Sequence, residues 1–351
     1  MRLLVLTAVT GYGLSLSPLV MADQNIMPVG KGNLETRAAG PVLYSEDLLR
    51  FPGPEISDTV MFPVFIEPAG APALDEGAVA FHLRRIETPD LGPYNAGTFF
   101  EQSASIPWDI AFILGGTIGG GIVSWNWGSA PFHFVDEGWF GKDTSYLGMD
   151  KVGHAYSTYL YAEYFTQRIA HSAEDVSGAA ITGAVLAMGV QTSVEFFDGF
   201  SSTYGFSYED LIMDGVGAGF SVLRSTVSGL ADKLDFRMEY IPSGNGGGFG
   251  PTSDYSGQKY LLALKLGGFE TVEDTPLRFL ELQAGYFARG FTEEERANGD
   301  ERRREPYVAI GFNLQELLDN GKVSETVPGL LAHRILEYVQ VPYTYAATTQ
   351  D

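Results

Sequence analysis

Residues 136–165 read DEGWFGKDTSYLGMDKVGHAYSTYLYAEYF, and residues 185–219 read VLAMGVQTSVEFFDGFSSTYGFSYEDLIMDGVGAG. Both segments alternate charged residues with glycine, alanine and aromatic residues at spacings of three and four. This spacing is typical of helices that place their polar side chains on one face. We therefore expect a helical unit whose ionisable groups gather at the helix ends.

Three helices are predicted from these periods and from their end signals. Their expected limits are Asp150 as N-cap to about His171, the Ser172–Asp175 capping box to Asp198, and the Ser207–Asp210 capping box to about Gly229. The run GVGAG at 215–219 falls inside the third helix. A dinucleotide-binding loop would follow a strand, so the run instead indicates close packing of small residues.

The polar residues of each helix share one face. These faces are Asp150, His154, Ser157 and Tyr161 on the first helix, Gln191, Glu195 and Asp198 on the second, and Asp210, Asp214 and Gly217 on the third. If the helices alternate up and down, all three polar faces meet at one end of the bundle.

Three chemistries fit such a meeting point. A divalent metal could bind His154 together with Glu195, Asp198, Asp210 or Asp214, because imidazole and carboxylate ligands suit zinc, manganese and iron. The metal ligands that we select are His154, Glu195 and Asp198. Acid–base catalysis could use His154 with Glu195 or Asp214, since burial raises a carboxyl pKa. The candidate catalytic residues are thus His154, Glu195, Asp198 and Asp214, and the possible cofactor is a divalent metal.

The third possibility is structural. In it, the polar residues serve only as helix caps and ion pairs. Five further residues are candidates for ligand binding: Asp150, Lys151, Gln191, Ser207 and Asp210. The sequence contains no HExxH, GxSxG or P-loop motif that would favour one chemistry.

Composition restricts the class of protein. The formal net charge of −22 opposes binding to nucleic acid. The absence of cysteine excludes a disulfide framework, a cysteine nucleophile and thiol lipidation within this sequence, so we do not expect a bacterial lipoprotein.

The N-terminal residues of the sequence indicate that the protein is exported. Residues 1–22 combine Arg2, a short apolar run and the small-residue site Val20-Met21-Ala22, the pattern of a cleaved secretory signal. Residues 23–105 are rich in proline and glycine and are expected to be extended, with apolar runs at 60–66 and 78–83. The helical unit is then assigned to residues 106–230. Its first apolar run, 108–127, could either span a bilayer or pack in the bundle core.

Residues 231–351 predict antiparallel strands. Alternating patterns occur at 235–240, 260–266, 278–287, 305–314 and 337–345, with a short helix at 326–334 and a solvated hairpin loop at 292–305. The predicted fold class is therefore α+β: a helical bundle unit followed by an antiparallel β-sheet or partial barrel. A spanning barrel needs at least about eight strands, which favours the sheet.

The spaced motifs DEGWF (136–140), DKVGH (150–154), EFFDG (195–199) and YGFS with Asp210 resemble the YfiM-like family of predicted periplasmic proteins. More distantly, Asp-Lys-x-x-His followed by Glu is similar to the VanZ family of glycopeptide-resistance membrane proteins. That distant pattern carries Asn where this chain has Asp214. The resemblance covers about residues 105–230 and implies a VanZ-like helical unit in the cell envelope, without implying a reaction.

Two functions follow as expectations. The first is a non-enzymatic envelope protein, structural or ligand-binding, that acts at a membrane surface. The second is an envelope hydrolase or transferase on a lipid or cell-wall substrate, using the His/carboxylate cluster. The expected location is the periplasm, with outer-membrane association as a further option. The expected partner is a membrane or envelope component and not nucleic acid, and no sequence signal indicates a particular oligomeric state.

Overall fold

A computed structural model describes residues 94–244, 250–251 and 254–349. The predicted signal peptide and the apolar runs at 60–66 and 78–83 lie outside these residues. The described chain is α+β, with helices first and an antiparallel sheet after them. Its helices are α1 Ala96–Ser105, α2 Pro107–Ser124, α3 Met149–Ser172, α4 Ala179–Asp198, α5 Tyr208–Thr226, α6 Leu230–Lys233, α7 Glu293–Ala297, α8 Leu314–Asn320 and α9 Val327–Leu336.

Helix α3 is the centre of the helical unit. It packs against both α4 and α5, which also pack against each other, and α2 packs against α4. Small residues allow the close approach of α3 and α5: a Cβ at Gly217 would lie 1.9 Å from the Ala155 carbonyl oxygen. The glycine-rich run therefore serves helix packing, as its position within a helix predicted.

The helix ends differ from the prediction at two starts. Gly148, at φ 85°, precedes α3, so Asp150 is not the N-cap but lies in the first turn. Gly178, at φ 71°, precedes α4, whereas Ser172 is the last residue of α3. Glycine adopts this left-handed geometry without steric cost and can replace a side-chain cap there. Ser207 does cap α5, where its Oγ accepts the Asp210 N–H at 3.3 Å.

The end of the N-terminal region is also helical, contrary to the expected extended chain. The Asn95 side chain accepts hydrogen bonds from the N–H groups of Gly97 and Thr98 and so starts α1. Helix α2 follows after an 80° bend and covers most of the run predicted at 108–127. Within the described residues, α4 is long and apolar enough to cross a bilayer, and the bent pair α1–α2 would count as a second such span.

The sheet has five antiparallel strands in sequence order and does not close into a barrel. They are β1 Leu234–Tyr240, β2 Gln258–Lys265, β3 Leu280–Arg289, β4 Arg303–Phe312 and β5 Tyr345–Ala347. The predicted hairpin loop at 292–305 overlaps the connection between β3 and β4, but its last three residues belong to β4. The connection also contains α7, which Thr292 and Glu295 start with a capping box.

The last predicted strand, 337–345, is wrong over most of its length. Val339 makes only an isolated bridge to Met238, and the strand itself begins at Tyr345. Tyr343 has φ 64°, a left-handed conformation that a strand cannot contain, and it directly follows Pro342. The predicted helix at 326–334 corresponds to α9.

The two faces of the sheet have unusual polarity. One face is apolar, and at one end it packs on α3 through Phe236, Met238 and Tyr260. At its other end this face is exposed, with Leu282, Val308, Ile310 and Phe312 each about half accessible or more. The opposite face instead carries buried charged residues, including Asp235, Arg237, Lys265 and Glu281. The predicted apolar faces thus exist, but only part of them packs on the helical unit.

Candidate functional site

The predicted polar faces meet at one end of the helical unit. The start of α3, the end of α4 and the start of α5 lie together, because α4 and α5 are antiparallel and joined by a short loop. A direct link closes this arrangement: the backbone N–H of Ser207 donates to Glu195 Oε2 at 3.1 Å. In a full capping box, the Asp210 side chain would accept the Ser207 N–H, whereas here the Glu195 side chain accepts it.

His154 is held in one orientation by Asp214. Its Nδ1 lies 3.2 Å from Asp214 Oδ1, which also accepts bonds from Thr158 Oγ1 at 2.8 Å and Gln191 Nε2 at 3.2 Å. The Gln191 amide also donates to Ser157 Oγ at 2.9 Å, so the predicted polar faces of α3 and α4 do meet. In the neutral imidazole, a carboxylate on Nδ1 keeps the proton on that nitrogen, so Nε2 is the nitrogen that can bind a metal ion.

The Nε2 atom of His154 faces two further carboxylates. It lies 3.7 Å from Glu195 Oε1 and 4.0 Å from Asp210 Oδ1. One ligand atom from each of these three residues falls within 4.8 Å of the others, a spacing that could hold a metal ion. Asp210 is almost fully buried, and its Oδ1 is shared between this group and the ammonium group of Lys151, whose Nζ lies 2.9 Å away.

A second carboxylate group lies beside the first and already holds a cation. Glu137, Asp150 and Asp210 also converge within metal-ligand spacing. However, the fully buried Lys151 Nζ contacts all three, at 2.5 Å from Glu137, 2.8 Å from Asp150 and 2.9 Å from Asp210. The ammonium group therefore fills the place that a metal would take in this group.

The electrostatics of the site depend on its excess of carboxylates. Burial raises the pKa of Glu195 to about 8, although His154 opposes the shift, and burial raises the pKa of Glu137 to about 7. Burial alone would lower the pKa of His154, but Asp210, Asp214 and Glu195 outweigh it and raise this pKa to about 10. These shifts favour the protonated forms of Glu195 and His154, and a metal ion would have to displace the proton on His154 Nε2.

Asp198 does not occupy the position predicted for it as a metal ligand. Its Oδ1 accepts the Trp127 indole N–H at 2.7 Å, and burial raises its pKa to about 6. Among the described residues, the group around His154 is completed by Asp210 instead. The geometry therefore groups Asp210, rather than Asp198, with His154 and Glu195, while metal binding by any of these residues stays a prediction.

Three residues of the site were not among the predicted ones. Glu137 and Trp127 lie outside the helices, so periodicity could not place them. Thr158 follows His154 by four residues, and this spacing could have placed it on the same face. The catalytic and ligand-binding roles of the predicted residues stay predictions, although the structure brings most of them together.

Comparison with known proteins gives one match. Residues 136–226 match the family described as "Predicted periplasmic lipoprotein (DUF2279)". No curated protein and no solved structure matches the chain. The matched segment contains every residue of the His154 site described above except Trp127, and the description supports an exported, periplasmic protein of unknown function. The 351 residues contain no cysteine, so the lipid attachment that the description implies has no thiol acceptor in this sequence. The comparisons give no support for the YfiM-like and VanZ resemblances.

Proposed function

We propose that this protein binds a divalent metal ion between His154, Glu195 and Asp210. We propose further that the protein is a hydrolase or transferase of the cell envelope and uses this metal ion in its reaction. The observation that carries the proposal is the geometry of His154. Its Nδ1 is fixed by Asp214, while its Nε2 faces Glu195 and Asp210. Metal-binding histidines commonly have this arrangement, with a carboxylate on the nitrogen opposite the metal.

The donor set fits a borderline or hard divalent ion. One imidazole nitrogen and two carboxylates suit zinc, manganese or iron, and three protein ligands leave positions for water or substrate. When bound, such an ion lowers the pKa of a coordinated water and polarises an ester or phosphoryl oxygen. Asp214, Thr158 and Gln191 would keep the imidazole in place.

Charge neutralisation supports the same conclusion. Buried carboxylates need compensating cations, and Lys151 pairs with Glu137, Asp150 and Asp210 but not with Glu195. Asp210 Oδ1 thus lies near both Lys151 Nζ, at 2.9 Å, and His154 Nε2, at 4.0 Å. Among the described residues, Glu195 has a cationic partner within 4.0 Å only in the His154 imidazole, at 3.7 Å. A divalent ion would displace the protons held there and supply two positive charges.

The competing function is the non-enzymatic one. The close pairing of Lys151 with three carboxylates favours it, since that group resembles a structural ion-pair cluster. In that case His154 is a permanent cation that only balances Asp210, Asp214 and Glu195.

Calorimetric titration distinguishes the two functions. Metal-stripped protein titrated with Zn²⁺ or Mn²⁺ should bind one ion and release protons, because Glu195 and His154 are protonated in the free site. Glu195→Gln should weaken the affinity by about 10-fold or more, in the range seen for altered metal sites. The matched control is Asp175→Asn, an exposed carboxylate near the start of α4, far along that helix from the site. Equal affinity in the parent and Glu195→Gln, or no binding, would support the ion-pair function instead.

A further inference from the structure

The outer surface of the helical unit has an unusual composition. Helices α2, α4 and α5 form a layer on α3 in the order α2–α4–α5. The exposed positions of these three helices carry aliphatic, aromatic, glycine and small polar residues, and no charged residue. The large exposed side chains are Trp108, Phe112, Ile122, Val123, Val185, Phe196, Tyr208, Ile212, Val216 and Leu223. We call this surface the outer face.

The charged residues of the same helices point inward. Asp109 of α2 accepts a bond from Arg168 of α3 at 2.7 Å, and Arg224 of α5 pairs with Glu163 of α3 at 3.3 Å. The remaining charged residues of the layer are buried or half-buried. Water-facing helices normally show the opposite pattern, with charged residues outward and apolar residues inward.

The outer face is also continuous along α5. Tyr208, Ile212, Val216 and Leu223 are exposed at steps of four or seven residues, which lie on one side of a helix. Each is about half accessible. Glycines on the same surface, such as Gly215 and Gly219, have open space around them, so no neighbour of the described chain covers them.

We propose that the outer face binds the surface of a lipid bilayer, with α2, α4 and α5 lying in the plane of one leaflet. A protein partner would be expected to meet polar rim groups and hydrogen-bond donors, and this face offers few. Acyl chains require neither. The face carries no net charge although the whole protein carries −22, so the lipid it fits is zwitterionic rather than anionic.

An in-plane position fits the rest of the fold better than a spanning one. Only one side of the helical unit is apolar and open, because α3 is covered on its other side by the sheet. The exposed charged residues of the hairpin around α7, which include Glu293, Glu294 and Arg296, do not belong to the α2–α4–α5 layer. Amphipathic helices that bind one leaflet bury an apolar face by about 5–10 Å and keep the charged side out of it.

Aromatic residues exposed at both ends of the layer support contact with a bilayer. Phe132, Phe134, Trp139 and Tyr208 are exposed near the end where the His154 site lies, and Trp108 is exposed at the start of α2. Tryptophan and tyrosine favour the boundary between acyl chains and head groups. This proposal is independent of whether the His154 site binds a metal.

Spin labelling tests the proposal. The chain contains no cysteine, so labels can be attached at single introduced cysteines without first removing native ones. Single substitutions Val185→Cys, Phe196→Cys and Val216→Cys place labels on the outer face. Asn298→Cys places the control label in the exposed hairpin between β3 and β4. The labelled full chain is mixed with phosphatidylcholine vesicles, and collisions with oxygen and with a water-soluble nickel complex are measured.

When vesicles are added, the three outer-face labels should collide more often with oxygen than with the nickel complex. The control label should collide more often with the nickel complex. Val185 and Phe196 are about 16 Å apart along α4, so similar depths for their labels are expected for an in-plane helix. Clearly different depths would show a spanning helix and overturn the proposal. Outer-face labels that stay open to nickel would also overturn it. So would labels shielded from both reagents with strong label–label coupling, which would indicate a second copy of the chain.

Vesicle flotation provides a second readout. The double substitution Val185→Lys, Val216→Lys should weaken partition into phosphatidylcholine vesicles by at least about 10-fold, because two apolar side chains are lost from the buried face. Unchanged partition by this double variant, with a circular dichroism spectrum like that of the parent, would contradict the proposal.

Discussion

Arg224→Met provides a quantitative test of how the helical unit is held to the sheet. The Arg224 side chain is fully buried and lies between two parts of the fold: Glu163 of α3 at 3.3 Å, Asp235 of β1 at 2.6 Å and Glu337 at 3.2 Å. Its Nε also donates to the Leu234 carbonyl at 2.8 Å. Methionine fills similar volume but leaves these acceptors without their shared cation.

The expected decrease in the free energy of unfolding follows from these contacts. Removing one partner of a buried ion pair costs about 3–5 kcal/mol. Asp235 would keep Arg237 at 2.6 Å and Lys265 at 2.9 Å, and Glu337 would keep Arg334 at 2.8 Å. We therefore expect a loss near the lower end, about 3 kcal/mol, which is a large part of the usual 5–15 kcal/mol of a folded domain.

Urea unfolding followed by circular dichroism measures this loss. The control is Arg303→Met, because the Arg303 side chain is 45% exposed and lies 3.6 Å from Glu305. An exposed pair of this kind contributes less than about 1 kcal/mol. Adding Glu163→Met to Arg224→Met should recover part of the stability, since an apolar pair can replace a buried ion pair. An Arg224→Met protein within about 0.5 kcal/mol of the parent would refute the reasoning.

Two further predictions concern helix packing and pH. Gly217→Ala should destabilise the protein by about 1–3 kcal/mol in urea unfolding, because the added Cβ would overlap Ala155. Gly215→Ala on the same helix is the control: its Cβ would have open space, so this variant should be more stable by up to about 1 kcal/mol. Equal effects of the two substitutions would contradict the close approach of α3 and α5. The pKa of His154 is raised from 6.5 to about 10 and that of Glu195 from 4.5 to about 8, so the protonated forms stabilise the metal-free fold at low pH. The Glu195 contribution is lost as pH rises from about 4.5 to 8, and the His154 contribution is lost from about 6.5 to 10. The thermal midpoint in chelator should therefore fall over that range, and it should fall less in His154→Gln; an identical pH profile for that variant would contradict the assignment.

The sequence predicted the meeting of three polar faces because helical periodicity is a local property. The spacing of Asp150, His154 and Ser157, together with short connections, was sufficient to bring His154 near Glu195 and Asp214. The choice between Asp198 and Asp210 was not predictable in the same way. It depends on Trp127, which comes from a loop 71 residues before Asp198 and takes up that carboxylate.

The fold class could likewise be predicted from alternating and helical periods, whereas the exposure of each face could not. Leu262 and Tyr260 lie on the same face of β2, yet Tyr260 packs on α3 and Leu262 is exposed. The alternation is identical for both residues, and only tertiary packing separates them. Similarly, the glycines before α3 and α4 replaced the side-chain caps that Asp150 and Ser172 were expected to provide.

The central claim, a divalent metal held by His154, Glu195 and Asp210, is tested most directly by anomalous X-ray diffraction from crystals grown with Zn²⁺ or Mn²⁺. We predict one strong anomalous peak about 2.0–2.2 Å from His154 Nε2 and from a carboxylate oxygen of each acidic residue. A peak elsewhere, or no peak there in protein with the same fold, would contradict the account and leave the cluster as a set of buried ion pairs.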